Sequence, residues 1–344
     1  MDVQILNPLE YPDWDALLLQ SGDQTFFHTA AWAGVLEKSY RFKPLYFTAL
    51  EEGRIVFLMP LMEVRSFLTG RRGVSLPFVD QCPPFFRDED FLRDGMERAI
   101  AYGKKKHWKY IDWKDFRSLE AVVSPREEFF VHEIDLAGTG EQLFAGLSDS
   151  NRRNIKKAGR EGVTIAIDST EDSLKGFCRL NGLTRKRHGL PPQSLAFFEA
   201  VRESILSKGY GNIVTASHGG KAIAASVFFH FGSNALYKYG ASDMEHQNLR
   251  PNNLVMWEAL KWHRDRGYKT FSLGRTEMDN PGLLQFKRTW GAAESRVKYY
   301  RYNFRKKGYV SRAPGVGGQS TKLFARMPLP VLRLLGRLLY RHIG

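Results

Sequence analysis

The sequence predicts an α+β fold of two similar halves, each a mixed, mostly antiparallel sheet flanked by helices. Three observations carry this expectation. Two glycine-containing turns, Glu51-Glu52-Gly53-Arg54 and His218-Gly219-Gly220-Lys221, each join two strand-like runs as hairpins. Each half runs in the same order: helices, a hairpin, a further strand, a helix, a strand and a return strand. The stretch Ala137-Gly138-Thr139-Gly140 separates the halves, and 344 residues suit two domains.

In chain order, residues 3–6 read as a strand, and 13–19 and 30–40 as helices, the second with Thr29 as N-cap. Strands follow at 45–50 and 55–64. A strand over 75–79 then gives out at Asp80, before the bend Gln81-Cys82-Pro83-Pro84. A helix over 91–107 ends on Lys104-Lys105-Lys106, which complements its dipole. Strands at 110–113 and 129–136 complete the first half. In the second half Thr139 caps a helix over 141–147, and a basic helix over 148–160 precedes a strand at 163–167. Two helices, 171–188 and 194–207, come next. Strands at 213–217, 222–231 and 235–239, a helix over 254–266 closed by Gly267, and strands at 269–273 and 296–304 follow. The expected domains are 1–137 and 138–310, with a basic amphipathic tail over 311–344.

Charge is divided unevenly. Residues 1–150 carry 17 Lys+Arg against 24 Asp+Glu, a net of −7; residues 151–344 carry 34 against 13, a net of +21. The second half is therefore expected to meet a polyanion or an anionic membrane. Arg152, Arg153, Lys156, Lys157 and Arg160 fall on one helical stripe, either a solvated face or a phosphate contact. In the tail, Arg333, Arg337 and Arg341 recur every four residues among leucines. That spacing fits a helix lying on an anionic membrane or one packing back on the first domain. Two distant cysteines, Cys82 and Cys178, and the absence of an apolar leader or membrane-length run suggest reduced thiols and a cytoplasmic setting, peripheral to the inner membrane face if the tail binds there. The nine histidines lack ligand spacing, so no metal is expected.

The densest concentration of chemistry is Gly274-Arg275-Thr276-Glu277 and Asn280-Pro281-Gly282-Leu283-Leu284-Gln285-Phe286-Lys287-Arg288-Thr289-Trp290-Gly291. It places Arg275, Lys287 and Arg288 near a strand end, where open sheets hold ligands. Phe286 and Trp290 share a helix face. Such cations beside aromatics suit a ligand with phosphates and a flat ring. The alternative is a basic surface turn whose two aromatics belong to the core.

The segment from Gly282 to Gly291 resembles the FK…(F/W)G signature of the FemABX family, whose members transfer aminoacyl groups from aminoacyl-tRNA to peptidoglycan precursors. Ser150–Ala158, Tyr237–Ser242, Leu249–Leu254 with Trp257-Glu258-Ala259, and Phe26–Trp32 fit the same family, so the resemblance spans nearly the whole chain. It implies two tandem domains of the N-acetyltransferase (GNAT) superfamily, closest to FemAB-related acyltransferases associated with exopolysaccharide. Only about 45 residues separate Ile167 from Ile213, so the long coiled-coil arm of some members is absent.

The resemblance implies no bound cofactor. The donor would be aminoacyl-tRNA or acyl-CoA, and the acceptor an amine on a peptidoglycan or exopolysaccharide precursor, with no DNA partner. Lys287 would stabilise developing negative charge, Asp80 would act as base, and Phe286 would stack on the donor's terminal nucleotide. Tyr239, Arg275, Arg250, Asn252, Trp290, Arg152 and Arg153 would complete the substrate site. The turn from His246 to Asn253 lacks the glycines with which acyl-CoA enzymes cradle pyrophosphate, which favours a tRNA-like donor. The rival readings are an acetyl-CoA-dependent N-acetyltransferase and a non-catalytic module that binds a polyanion or membrane. Cys82, close to Asp80 in sequence, stays open as a nucleophile.

Overall fold

The computed structural model describes residues 2–22, 24–311 and 319–343. Its strands are β1 (Gln4–Leu6), β2 (Lys43–Glu51), β3 (Arg54–Ser66), β4 (Gly70–Val74), β5 (Phe85–Phe86), β6 (Tyr110–Lys114), β7 (Glu127–Asp135), β8 (Thr164–Asp168), β9 (Gly211–His218), β10 (Lys221–Phe231), β11 (Asn234–Ser242), β12 (Thr270–Glu277), β13 (Ala293–Asn303) and β14 (Gly308–Tyr309). Its helices are α1 (Trp14–Leu19), α2 (Ala30–Tyr40), α3 (Glu89–Lys105), α4 (Gly140–Ala145), α5 (Asp149–Arg160), α6 (Glu171–Arg187), α7 (Leu195–Ser204), α8 (Pro251–Asp265), α9 (Pro281–Arg288), α10 (Gln319–Arg326) and α11 (Leu329–Ile343). Among the described residues no helix is long and apolar enough to cross a membrane.

Two compact units form. The first gathers Met1–Phe129, Arg296–Gly315 and Leu338–Gly344; the second, Phe130–Ser295 and Val316–Arg337. The sequence-based division at 137 and 310 therefore differs in kind. Most of β7 joins the second unit, and most of β13 joins the first. The chemistry of β13 explains its place: it runs antiparallel to β6, with Tyr299 opposite Lys114. There Arg301 makes a bidentate ion pair with Asp112, at 2.5 and 2.7 Å. Likewise Ile134 and Leu136, at the end of β7, enter the core of the second unit.

In the first unit the order is β1-β2-β3-β4-β6-β13. β1 to β4 pair antiparallel, and the step from β4 to β6 is parallel. A parallel step needs a crossover, which α3 supplies. The β2–β3 turn takes left-handed φ at both Glu52 (50°) and Gly53 (75°), the twist a two-residue hairpin needs. At the chain's end, Tyr340 packs on Tyr40 and Phe78. The buried Arg72 donates to the His342 carbonyl at 2.8 Å, capping α11 with a cation.

In the second unit the order is β8-β9-β10-β11-β12-β7. β8 to β11 are antiparallel; β11 and β12 are parallel, with α8 as crossover. Gly219 (55°) and Gly220 (77°) repeat the hairpin solution between β9 and β10. Thr139 caps α4 in a reciprocal box with Gln142, as its position predicted. The core contains Val214, Phe228, Leu260, Phe271 and Trp290. The middle of α11 docks here: a Cβ on Gly336 would lie 1.9 Å from the Pro192 carbonyl oxygen, so only glycine lets the helix approach.

Candidate functional site

The site begins with a divergence of two strands. β11 and β12 pair only over Asn234–Leu236 and Thr270–Ser272. Beyond Leu236, β11 leaves its neighbour and carries Tyr237 to Ser242 along an opening, at the carboxyl ends of parallel strands where such sheets bind ligands. Within this stretch the pairing to β10 slips. Tyr239 faces Val227, but Tyr237 faces Phe228, leaving Lys238 as the extra residue of a β-bulge.

The bulge decides which tyrosine serves the site. Tyr239 points into the apolar layer of Phe177, Phe197, Phe198 and Phe229, with the Phe198 ring centroid at 5.5 Å. Tyr237 goes to the opposite face, into a cavity of about 220 Å³ with Thr184, His188, Ser226, Ser242, Asn252 and Phe286. The expected substrate residue Tyr239 is thus placed in packing, and Tyr237 takes the cavity position. Strict alternation, which the bulge breaks, hid this exchange. Gly240 makes room for it, since a Cβ there would sit 1.6 Å from the Tyr237 hydroxyl. Burial raises the Tyr237 pKa, opposed by a hydrogen bond with Ser226, so the phenol stays protonated.

A second cavity, about 450 Å³, shares Asn252 and Phe286 with the first. Its walls come from two helix starts. Ser148 caps α5, accepting from the Asn151 amide, and Ser150, Asn151 and Asn154 line the cavity. α8 starts at Pro251, after Arg250 in left-handed conformation (φ 58°). Arg250, Asn252 and Asn253 line the same space. The buried Asn151 ties the walls together. It accepts from Asn253 at 2.9 Å and donates to the Thr289 carbonyl, just past α9, at 3.0 Å. Asn252 donates to Ser242 at 3.2 Å, and Gln247 donates to the same hydroxyl at 2.9 Å. Two N-terminal dipoles and an exposed arginine therefore face one polar cavity, a setting suited to phosphate.

The expected residues divide. Phe286, 37% exposed, and Asn252 line both cavities, and Arg250, at the start of α8, lines the second; α8 begins at Pro251, earlier than the expected 254. Trp290 is instead 1% exposed and part of the core, with Phe286 edge-on to it at 6.1 Å. Lys287 is buried and lines neither cavity. Its ammonium donates to the carbonyls of Gly274 and Arg275 at 2.7 and 2.9 Å, fastening α9 to the end of β12. After burial, the Lys287 charge is the largest influence lowering the pKa of His132. Arg275 lies on β12, half-buried, outside both cavities. Arg152 leaves the expected stripe, pairing with Asp149 and donating to the Ala145 carbonyl at 2.6 Å. Arg153 remains on the outer face with Asn154, Lys156, Lys157 and Arg160, lining a shallow depression that meets the second cavity at Asn154.

Asp80 belongs to the first unit. Its loop holds two non-glycine residues in left-handed conformation, Leu76 (52°) and Phe78 (60°). Lys114 Nζ fixes the carbonyls of Leu76 and Val79 at 2.9 and 3.2 Å, and the Tyr299 hydroxyl donates to the Asp80 carbonyl at 2.6 Å. Such strain persists only where the surroundings enforce it. Cys82 is buried and its thiol is pushed up by desolvation, away from the thiolate a nucleophile needs. Asp243, Glu245 and His246 bring ligand-type atoms within 4.8 Å of one another, but Asp243 already pairs with Lys221 at 3.5 Å and caps the Glu245 amide.

Residues 149–288 match the acetyltransferase (GNAT) domain model. A lipid II:glycine glycyltransferase of Staphylococcus haemolyticus is 32% identical over 192 residues, 52% of this chain and 45% of that protein. The same enzyme of Staphylococcus epidermidis is 31% identical over 75 residues, 20% of this chain and 18% of that protein. The chain thus spans less than half the length of these curated relatives. Among solved structures, FemX superposes with a TM-score of 0.70 at 15% identity, covering 89% of this chain and 98% of its own. A tandem GNAT protein from the clavulanic acid pathway gives 0.51 at 10% identity, covering 88% and 98%. Both support the fold of two tandem GNAT-like domains.

Proposed function

We propose that this chain, a FemAB-like member of the GNAT acyltransferases, moves an aminoacyl group from aminoacyl-tRNA to an amine on a cell-envelope precursor, acting at the inner membrane face. One observation carries the proposal. The two cavities meet at Phe286 and Asn252 where β11 and β12 part, and the cationic face of α5 leads away from them through Asn154. A small acyl-thioester donor needs one pyrophosphate subsite. A track of Arg153, Lys156, Lys157 and Arg160 beyond it suits a longer phosphodiester. The likeness to lipid II:glycine glycyltransferases supports the acceptor class.

In this reading the donor phosphates sit in the larger cavity, on the α5 and α8 N-termini and Arg250. Phe286 stacks on the terminal base. The aminoacyl group enters the smaller cavity. The acceptor nitrogen attacks the ester carbonyl carbon, forming the C–N bond and a tetrahedral oxyanion. Collapse breaks the bond to the ribose oxygen, which leaves with a proton, while the attacking amine loses one to a base. Tyr237, held protonated, donates to the oxyanion. Lys287 acts as a positioning residue that fixes α9, and so Phe286, at the cleft.

The test is transfer of labelled amino acid from a charged tRNA pool to lipid II, paired with tRNA affinity against salt. A tRNA seated on the α5 track loses affinity with a slope of about −0.7 to −0.9 per phosphate contacted. A flat salt response without transfer would overturn the proposal. The second reading, acetyl-CoA as donor, is favoured by the GNAT domain match. Thermal stabilisation by micromolar acetyl-CoA would establish it instead.

A further inference from the structure

A third cavity, about 490 Å³, opens within the second unit between α6, the Pro192–Ser194 turn into α7, and the first half of α11. It shares no lining residue with the donor cleft. Its polar wall holds Lys175, Arg179, Arg333 and Arg337, and no carboxylate lines it. Two of these cations are engaged: Lys175 pairs with Glu171 at 2.7 Å, and Arg179 donates to the Ala222 carbonyl. Arg333 and Arg337 have no ion-pair partner among the described residues. At the base lies Asn181, 4% exposed, whose amide nitrogen has no hydrogen-bond partner in the protein. A buried amide donor left open in this way is destabilising unless something accepts from it. The rim is apolar and exposed, with Leu195 at 53% and Leu334 at 55%.

We infer that this cavity binds the phosphate of a lipid head group, with the acyl chains leaving over Leu195 and Leu334. Arg333 and Arg337 meet the phosphate charge, and Asn181 donates to one of its oxygens. The apolar rim excludes a bare anion as the fitting occupant and gives the alkyl portion its contact. Packing of α11 through Gly336 against the Pro192 carbonyl holds the two arginines at the cavity mouth.

The full chain is titrated with dihexanoyl phosphatidylglycerol below its micelle concentration, with dihexanoyl phosphatidylcholine, and with inorganic phosphate. Saturable binding of the anionic lipid is expected, with Arg333→Ala/Arg337→Ala about 30-fold weaker, on roughly a factor of five per surface cation. Arg341→Ala, which removes a charge from the same helix outside the cavity, leaves the affinity within twofold. Occupancy is located through Asn181→Leu, which removes the buried amide donor lining the cavity and should weaken the anionic lipid about tenfold. Equal binding by the double variant, equal binding of inorganic phosphate, or unchanged binding by Asn181→Leu would each overturn the inference.

Discussion

Lys287 poses the sharpest question, because motif and structure assign it different work. The residue is 3% exposed, and its ammonium donates to two backbone carbonyls at 2.7 and 2.9 Å. Hydrogen bonds to a charged group contribute about 1.5–3 kcal/mol each, and burying the ammonium offsets part of that. Lys287→Met keeps the aliphatic bulk and removes only the charge, leaving both carbonyls desolvated and unpaired. A net loss of about 3 kcal/mol is expected, or a melting temperature roughly 6–10 °C lower for a unit of this size. Differential scanning calorimetry measures the shift, and transfer assayed well below the new transition separates folding from chemistry. If Lys287→Met melts within a degree of the wild type yet transfers nothing, the positioning role is refuted and the charge works directly on the reacting ester.

The bulge makes a second expectation. Tyr237→Phe lowers transfer by about 10²-fold with little effect on melting, whereas Tyr239→Phe leaves transfer within a few-fold; equal losses in both would remove Tyr237 from the site. Gly240→Ala drives a Cβ into the Tyr237 hydroxyl, so it should reproduce the Tyr237 defect in kcat. Gly336→Ala forces α11 off the Pro192 carbonyl and should lower the melting temperature by several degrees while sparing transfer at low temperature. Acid should weaken the fold. Burial lowers His28 to about 4 and His263 to about 3. The unfolded chain therefore takes up protons below about 6.5 before the folded one does, and stability falls from there towards pH 4. From pH 7.5 to 5 the two together should cost about 4 kcal/mol by urea titration, and an unchanged midpoint would contradict it.

The fold was legible because its signals are local. Gly53 and the Gly219-Gly220 pair at the hairpins and Thr139 as a cap each fix backbone geometry within a few residues. The exchange of β7 and β13 was not, because strand partners depend on pairings such as Arg301 with Asp112, far apart in sequence. The site was half legible. Arg250 and Asn252, at the start of α8, were expected only through the family resemblance, since Arg250 precedes the helix without a side-chain cap. Tyr237 could not be read, since one extra residue in a strand reverses which side chains face the cleft and leaves no mark in composition.

The charge of the second half shows the same limit from another side. Sequence groups its cations into one electropositive signal, and the structure separates them by what each already holds. Lys287 neutralises backbone carbonyls inside the unit and projects little outward. Arg152 turns back on Asp149 and the Ala145 carbonyl. Arg288 pairs with Glu294 at 2.9 Å. Among the described residues, the cations that line cavities include Arg187, Arg250 and the outer face of α5 at the proposed donor cleft, and Arg333 with Arg337 at the third cavity. Those two groups line different cavities and share no residue. Salt-sensitive tRNA binding and anionic-lipid binding should therefore be separable by substitution: a variant of one group alters its own ligand and leaves the other unchanged.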